Sequence, residues 1–573
     1  MNFRDLFRSP TIREAFAACR PHFLAAAGAS FLLNLLFLAP AIYMLQVYDR
    51  VVATGGKLTL LYITIALAIA LLTLTLLDAL RNRILLRAGA RINNILAPQV
   101  LRRMTSGERP AVGAEAVRDL DNVRQVVGSP VMAAIFDAPW TPVFIIVSFM
   151  LHVWLGLFAV LSTAVLIVLA IRNERTTRPL TDGAGRALSA SYATQQVVAA
   201  RGGTVRALGM GDALVARQLA ERSGALASLL AAQFAGGKYS AAIRFFRLFA
   251  QSAALGIGAL LAIDGQISAG GIIAASILLG RALQPVETIV SGWSSFSSAL
   301  TSADKLSDQF PEVPHREEGR TALPSPKGLI EVEKVVVSAS DGSRPILTGV
   351  SLRAEPGQIL GIVGPSGSGK TTLARVIAGA VVPDLGVVRI DGAPYDAWDE
   401  TELGRHIGFM PQEPSLLEGT VKENISRFAR WAGADAEEVD AKTVAAAQAA
   451  QIHELIMRLP LGYETRLSGP GSGLSAGQAQ RIALARALYG DPAVLMLDEP
   501  NAFMDTEGEA AVLQAMEDAR QRGASVIVIA HRMTILHSAD VLLVMANGRP
   551  QLAGPRQDVL DRLAAPRTVD ALA

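Results

Sequence analysis

Residues 364–372 read GPSGSGKTT, with glycines at 364, 367 and 369 followed by Lys370 and Thr371. Glycines at this spacing let backbone N–H groups close around a phosphate, while an ammonium and a hydroxyl arrive from the first turn of the next helix. The run ILGIV before the loop reads as a buried strand, and LARVIAG after it reads as a helix. That setting distinguishes a phosphate cradle from a chance glycine turn. Gly364, Pro365, Ser366, Gly367, Ser368, Gly369, Lys370, Thr371 and Thr372 are therefore read as ATP-binding. Lys370 would reach the β- and γ-phosphates, and the Thr371 hydroxyl is suited to Mg2+.

A second apolar run, AVLMLDEP (493–500), ends in two carboxylates. Asp498 is placed to hold Mg2+ through water, and Glu499 to orient and deprotonate an attacking water. His531 follows the strand-like SVIVIA, where an imidazole would touch the γ-phosphate; a structural histidine is the plainer alternative. Gln412, in FMPQEP, sits where a turn would sense metal and water. Finally, GLSAGQAQRIALARAL (473–488) is a glycine-broken turn leading into a helix. Ser475 and Gly477 lie where that helix's free N–H groups point outward, a second anion site. Within one compact domain this turn cannot easily reach a nucleotide held by Lys370. It can reach one held by another copy, so two copies in a C2 arrangement are expected to enclose two nucleotides.

These residues need a scaffold, and composition says of what kind. Mean hydropathy is +0.35 and charged residues make up 18% of the 573, which points to a membrane part joined to a soluble part. A net charge of +2 supplies no field for nucleic acid. The single cysteine, Cys19, excludes an internal disulfide and reads as a small unpaired thiol. The mixed-charge N-terminus does not read as a removable signal peptide.

Six apolar segments are expected to span a membrane: 23–47, 58–77, 131–150, 153–171, 245–263 and 268–290, with a polar hinge at His152. Arg4, Arg8, Arg13, Arg20, Arg81, Arg83, Arg87 and Arg91 flank the first pair on one side, so both chain ends are expected in the cytoplasm. Residues 78–128 and 172–240 read as helical extensions beyond the lipid. FDAPWTP (136–142) puts Asp137 and two prolines at a helix start, either a gating element or a kinked entrance with Trp140 at the interface. Arg281 and Glu287 near the last span carry the same two readings. The membrane domain is expected over 1–310, a proline-rich linker over 311–329, and an α/β domain with a largely parallel sheet over 330–573.

GPSGSGKT, Gln412, LSAGQ, LMLDE and His531, in that order after six spans, resemble the ABC transporters in their exporter arrangement, over nearly the whole chain. The resemblance implies an all-α six-helix transmembrane domain of the type I exporter kind, then an α/β P-loop nucleotide-binding domain. It adds Gln478, within LSAGQ, and Asp505, at the end of NAFMD, as contacts to nucleotide in trans. FDAPWTP, residues 396–428 and NAFMDTEGE look like the type I secretion ATPases of Gram-negative bacteria, the PrtD-like group. That resemblance implies a homodimer in the bacterial inner membrane with its nucleotide domain in the cytoplasm. It also implies ATP-driven export of an unfolded polypeptide with a C-terminal signal, a periplasmic adaptor and an outer-membrane channel as partners, and no N-terminal peptidase. An exporter of lipid or amphipathic small molecules, or a membrane-anchored ATPase that transports nothing, is the alternative. Two departures stand out: Ala476 where the family has glycine, and no aromatic residue in VVVSASDGS (335–343) to stack on adenine.

Overall fold

The computed structural model describes residues 9–105, 110–309, 323–339, 344–467, 473–530 and 532–564. These divide into two units, one ending at Gln309 and one beginning at Leu323.

In the first unit, six helices are long and apolar enough to cross a membrane: Arg20–Val52, Lys57–Arg102, Pro130–Leu151, Val153–Ala199, Gly211–Ile263 and Ala269–Ser291. Three lie in continuous helices of 49, 48 and 53 residues. At about 1.5 Å per residue these run roughly 70–80 Å, more than twice a hydrocarbon core of about 30 Å. They must therefore continue outside lipid. His152 separates the third and fourth spans as expected: its extended backbone ends one helix, and its Nδ1 accepts from the Trp154 N–H to cap the next.

FDAPWTP joins the helices Pro130–Asp137 and Thr141–Leu151 through a 3-10 turn over Ala138–Trp140. Pro139 and Pro142 lack the N–H that an unbroken helix would use there. The kinked-entrance reading fits this break, with Pro142 in the first turn of the helix it opens. The Asp137 carboxylate accepts from Arg81 Nη1 at 2.8 and 2.9 Å and from Asn34 Nδ2 at 2.9 Å. Arg81 also donates to Ser30 Oγ at 2.9 Å and to Asp78 at 2.6 Å, and is itself buried. One ion pair ties the first three spans together. Arg81, counted from sequence among the arginines that flank the second span, is an interior residue.

Spans four to six share a core of Ala159, Leu166, Ile243, Ala250, Ala254 and Leu283. Small residues at 250, 254 and 258 let helices approach closely: a Cβ on Gly258 would lie 3.2 Å from Ile272 Cα. Arg281 lies over the Phe37 ring, 3.7 Å from its centroid, and Glu287 pairs with Arg247 at 2.5 Å.

Among the described residues the second unit has twelve strands: β1 (Ile330–Ser338), β2 (Pro345–Ala354), β3 (Ile359–Val363), β4 (Leu385–Ile390), β5 (Ala393–Pro394), β6 (Ile407–Met410), β7 (Gly419–Thr420), β8 (Arg466–Leu467), β9 (Val494–Asp498), β10 (Ser525–Ile529), β11 (Val541–Ala546) and β12 (Arg549–Pro555). Six form one sheet in the order β12-β11-β3-β10-β9-β6, parallel except for β12. Strands β9 and β10 are buried at every residue, as apolar runs covered on both faces must be. β2, β1, β4 and β5 make an antiparallel sheet beside it. The helices Val421–Ile425, Ala436–Ala449 and Ala476–Leu488 share a core built on Ile425, Ala447, Ile482 and Leu484.

Candidate nucleotide site

Strand β3 stops at Val363, and the chain turns through 364–369 into the helix Lys370–Ile377. The glycines are required by geometry. Gly364 has φ +155°, and a Cβ there would meet the Met545 carbonyl at 2.1 Å; Gly369 has φ +93°, with Leu347 Cδ2 at 2.8 Å. Gly367, at φ +78°, faces open space but holds a conformation that side chains strain to adopt. The Ser368 N–H donates to the Pro365 carbonyl at 3.2 Å, closing the loop. Pro365 and Ser366 are exposed, while Thr371 and Thr372 open the helix half-buried.

Lys370 is buried, and its Nζ donates to the carbonyls of Gly364 and Pro365, both at 2.9 Å. Burial pulls the Lys370 ammonium below the ordinary lysine range, and the Glu499 and Asp498 charges oppose that shift. Asp498 ends β9 at 1% exposure, and neither of its carboxylate oxygens completes a hydrogen bond. Burial pushes its carboxyl above the usual range; the nearby Thr371 hydroxyl opposes, Glu499 adds, and Arg375 and Lys370 oppose. Ser368 Oγ is likewise buried and unpartnered. Orphaned oxygens beside a lysine and a threonine are rare in folded proteins and fit a cation with anionic oxygens. Among the described residues no cluster of three His, Cys, Asp or Glu can hold a metal, so a cation here must borrow ligands from phosphate and water.

Glu499 follows at φ +49°, a left-handed conformation uncommon for a non-glycine residue. Its N–H donates to the Ile529 carbonyl at 2.9 Å, joining it to the end of β10. Its Oε2 accepts from Gln412 Nε2 at 3.0 Å, so the turn after β6 touches the carboxylate expected to act on water. Lys370, Thr371, Asp498, Glu499 and Gln412 are thus brought together. His531 lies outside the described residues, as do residues 340–343 of the stretch read as lacking an adenine-stacking aromatic.

The signature turn is separate. Ser475 caps the helix Ala476–Leu488 in a capping box: the Gln478 N–H donates to Ser475 Oγ at 3.2 Å, and the Ser475 N–H donates to Gln478 Oε1 at 2.9 Å. Among the described residues no hydrogen bond or ion pair links Ser475, Gly477 or Gln478 to 364–372. Asp505 caps the helix Thr506–Gln521 through the Gly508 N–H at 2.9 Å and pairs with Arg481. These two contacts hold its carboxyl below the usual range. Gln480 and Arg481, which sequence reading passed over, are buried on one face of the signature helix. Polar residues inside an otherwise apolar helical stripe were the available signal.

Residues 347–502 match the ABC transporter family and residues 23–286 the ABC transporter transmembrane region. The chain is 36% identical over 560 residues, 97% of its length and 95% of the relative's, to the type I secretion system ATP-binding protein PrsD of Rhizobium meliloti (strain 1021). It is 30% identical to the toxin RTX-I translocation ATP-binding protein of Actinobacillus pleuropneumoniae, covering 94% of this chain and 76% of that one. To the alpha-hemolysin translocation ATP-binding protein HlyB of Escherichia coli O157:H7 it is 27% identical, covering 92% and 75%. A solved bacterial Atm1-family ABC exporter with ATP bound shares the fold, with a TM-score of 0.80 at 24% identity over 96% of this chain and 97% of that one. A phosphate cradle on β3, paired carboxylates on β9 and six apolar helices, with kinship along nearly the full chain, make this a multi-pass ATPase of the ABC transporter family, in its type I secretion branch.

Proposed function

We propose that this chain is the ATPase of a type I secretion system in the bacterial inner membrane, with its second unit in the cytoplasm. It works as a homodimer that exports an unfolded polypeptide through a periplasmic adaptor and an outer-membrane channel. The observation that carries the cargo class is the alignment along 97% of the chain with a type I secretion ATP-binding protein. Spans five and six support it with a polar cavity of about 420 Å3 whose lining includes Arg247, Gln251, Arg281, Gln284 and Glu287. Charge and amide at membrane depth suit a hydrated polar chain better than an acyl tail.

ATP is held by residues 364–372, and Glu499 takes the proton of the attacking water while Gln412 orients its carboxylate. Lys370 counters γ-phosphate charge, and His531 is assigned to the same phosphate. Mg2+, held through Thr371, Asp498 and Gln412, supplies electrostatic stabilisation of the phosphates when bound. Ser475, Gly477, Gln478 and Asp505 complete the site of the opposite copy. ATP thus favours the closed pair, and hydrolysis releases it.

A lipid or amphipathic cargo is the second reading, favoured by an apolar cavity of about 410 Å3 with Trp154, Leu157, Phe158 and Ile257 among its walls. Proteins in the medium of cells carrying the intact chain or Lys370→Ala decide between them. Loss of one large polypeptide in the variant supports protein export; an unchanged medium overturns it.

A further inference from the structure

The buried Gln480 side chain bridges two backbone groups outside its own helix. Its Nε2 donates to the Glu499 carbonyl at 3.4 Å, and its Oε1 accepts from the Phe503 N–H at 3.2 Å. One turn earlier the backbones themselves meet: a Cβ on Gly477 would lie 3.0 Å from the Phe503 carbonyl. One residue later, Arg481 pairs with Asp505. Positions 477, 480 and 481 share one helix face, and that face is fastened to 499–505 at three points.

Glu499 is the end of that segment with most at stake. Its left-handed backbone is strained for a non-glycine residue and persists only if its surroundings hold it. Its N–H is held by Ile529 in the sheet, and its carbonyl by Gln480 and by the Ala502 N–H at 3.2 Å. The sheet therefore fixes one side of the residue, and the signature helix helps fix the other.

We propose that Gln480 is a positioning residue that couples the two nucleotide sites of a pair. The signature turn of one copy binds the nucleotide on its partner; through Gln480 that engagement sets the carboxylate of Glu499 over the copy's own nucleotide. The inference rests on the paired-site reading above. A coupling of this kind is reciprocal, so each site's occupancy tunes the other.

The test uses the full-length transporter in lipid nanodiscs, titrated with ATP. Gln480→Met keeps the volume but removes both polar links. It is expected to lower kcat about tenfold to a hundredfold, with KM nearly unchanged and the Hill coefficient falling toward one. Gln480→Glu separates positioning from packing. Its carboxylate cannot donate to the Glu499 carbonyl, but its protonated form can, so its kcat relative to the parent should rise as pH falls below about 6. Parental kcat and cooperativity in Gln480→Met overturn the inference. If that variant does not fold, a flat relative pH profile for Gln480→Glu overturns it. Glu499→Gln is run alongside: normal turnover there removes Glu499 as the base, whereas a dead Glu499→Gln with a normal Gln480→Met sinks this inference alone.

Discussion

Two buried charge clusters in this chain are built to opposite rules. In the membrane unit, Asp137 meets Arg81 and Asn34, and Arg81 meets Ser30 and Asp78, so both carboxylate oxygens and both terminal guanidinium nitrogens are used, and Arg81 Nε alone finds no partner among the described residues. In the nucleotide unit, Asp498 is buried more deeply, yet among the described residues it meets no cation and has only the Thr371 hydroxyl close by, and Lys370 turns back onto its own loop. Burying a charge is costly in both places. The first cluster offsets that cost internally and serves the fold. The second leaves much of it standing, and a bound cation would relieve it. Where a buried charge meets an opposite charge, architecture is the plain reading; where a carboxylate is left without one, binding is.

The contrast can be broken in order of expected effect. Glu499→Gln should lower ATP turnover by about 10²–10⁴-fold while nucleotide binding persists, measured by phosphate release and by binding of a labelled nucleotide. Retained turnover would deny the orphaned cluster its chemistry. Arg81→Leu should destabilise the membrane unit by about 2–3 kcal/mol, because it leaves the half-buried Asp137 carboxylate with only Asn34 as a donor. Adding Asp137→Leu should recover most of the loss in thermal unfolding of the detergent-solubilised protein; no recovery would mean the pair is not the tie described.

Asp498→Asn should do the reverse, abolishing Mg2+-dependent hydrolysis yet raising the melting temperature of the nucleotide-free protein. The sign follows from burial: a carboxyl held above its unfolded value favours the neutral form, so ionisation costs stability at neutral pH. The gain should fade as pH falls through the folded-state value. The smallest effects concern the two departures from the family. Ala476→Gly should slightly raise turnover, and ATP and GTP should be hydrolysed at comparable rates; a strong preference for ATP would contradict the latter.

The nucleotide strands and loop were legible because local rules dictate them: glycines at set spacing, then Lys370, and carboxylates ending an all-apolar run. The six spans were legible for the same reason, since length and apolarity act residue by residue. Partnerships were not. Nothing near Arg81 announces a carboxylate 56 positions later, so it was counted with the flanking arginines. The prolines of FDAPWTP announce the break at 138–140, but not that Arg81 meets the carboxylate beside them. Gln480 sits between Ala479 and Arg481, where only the helical period shows it facing inward, and no local rule names the carbonyl it meets.

The Arg81–Asp137 tie also dictates an order of manufacture. The guanidinium leaves the ribosome 56 residues ahead of the Asp137 carboxylate, so until the third span follows, Arg81 has only Asp78 on its own helix and Ser30 on the first span to meet. The third span then supplies the carboxylate that completes the tie. The bundle is thus locked from its later helix backwards.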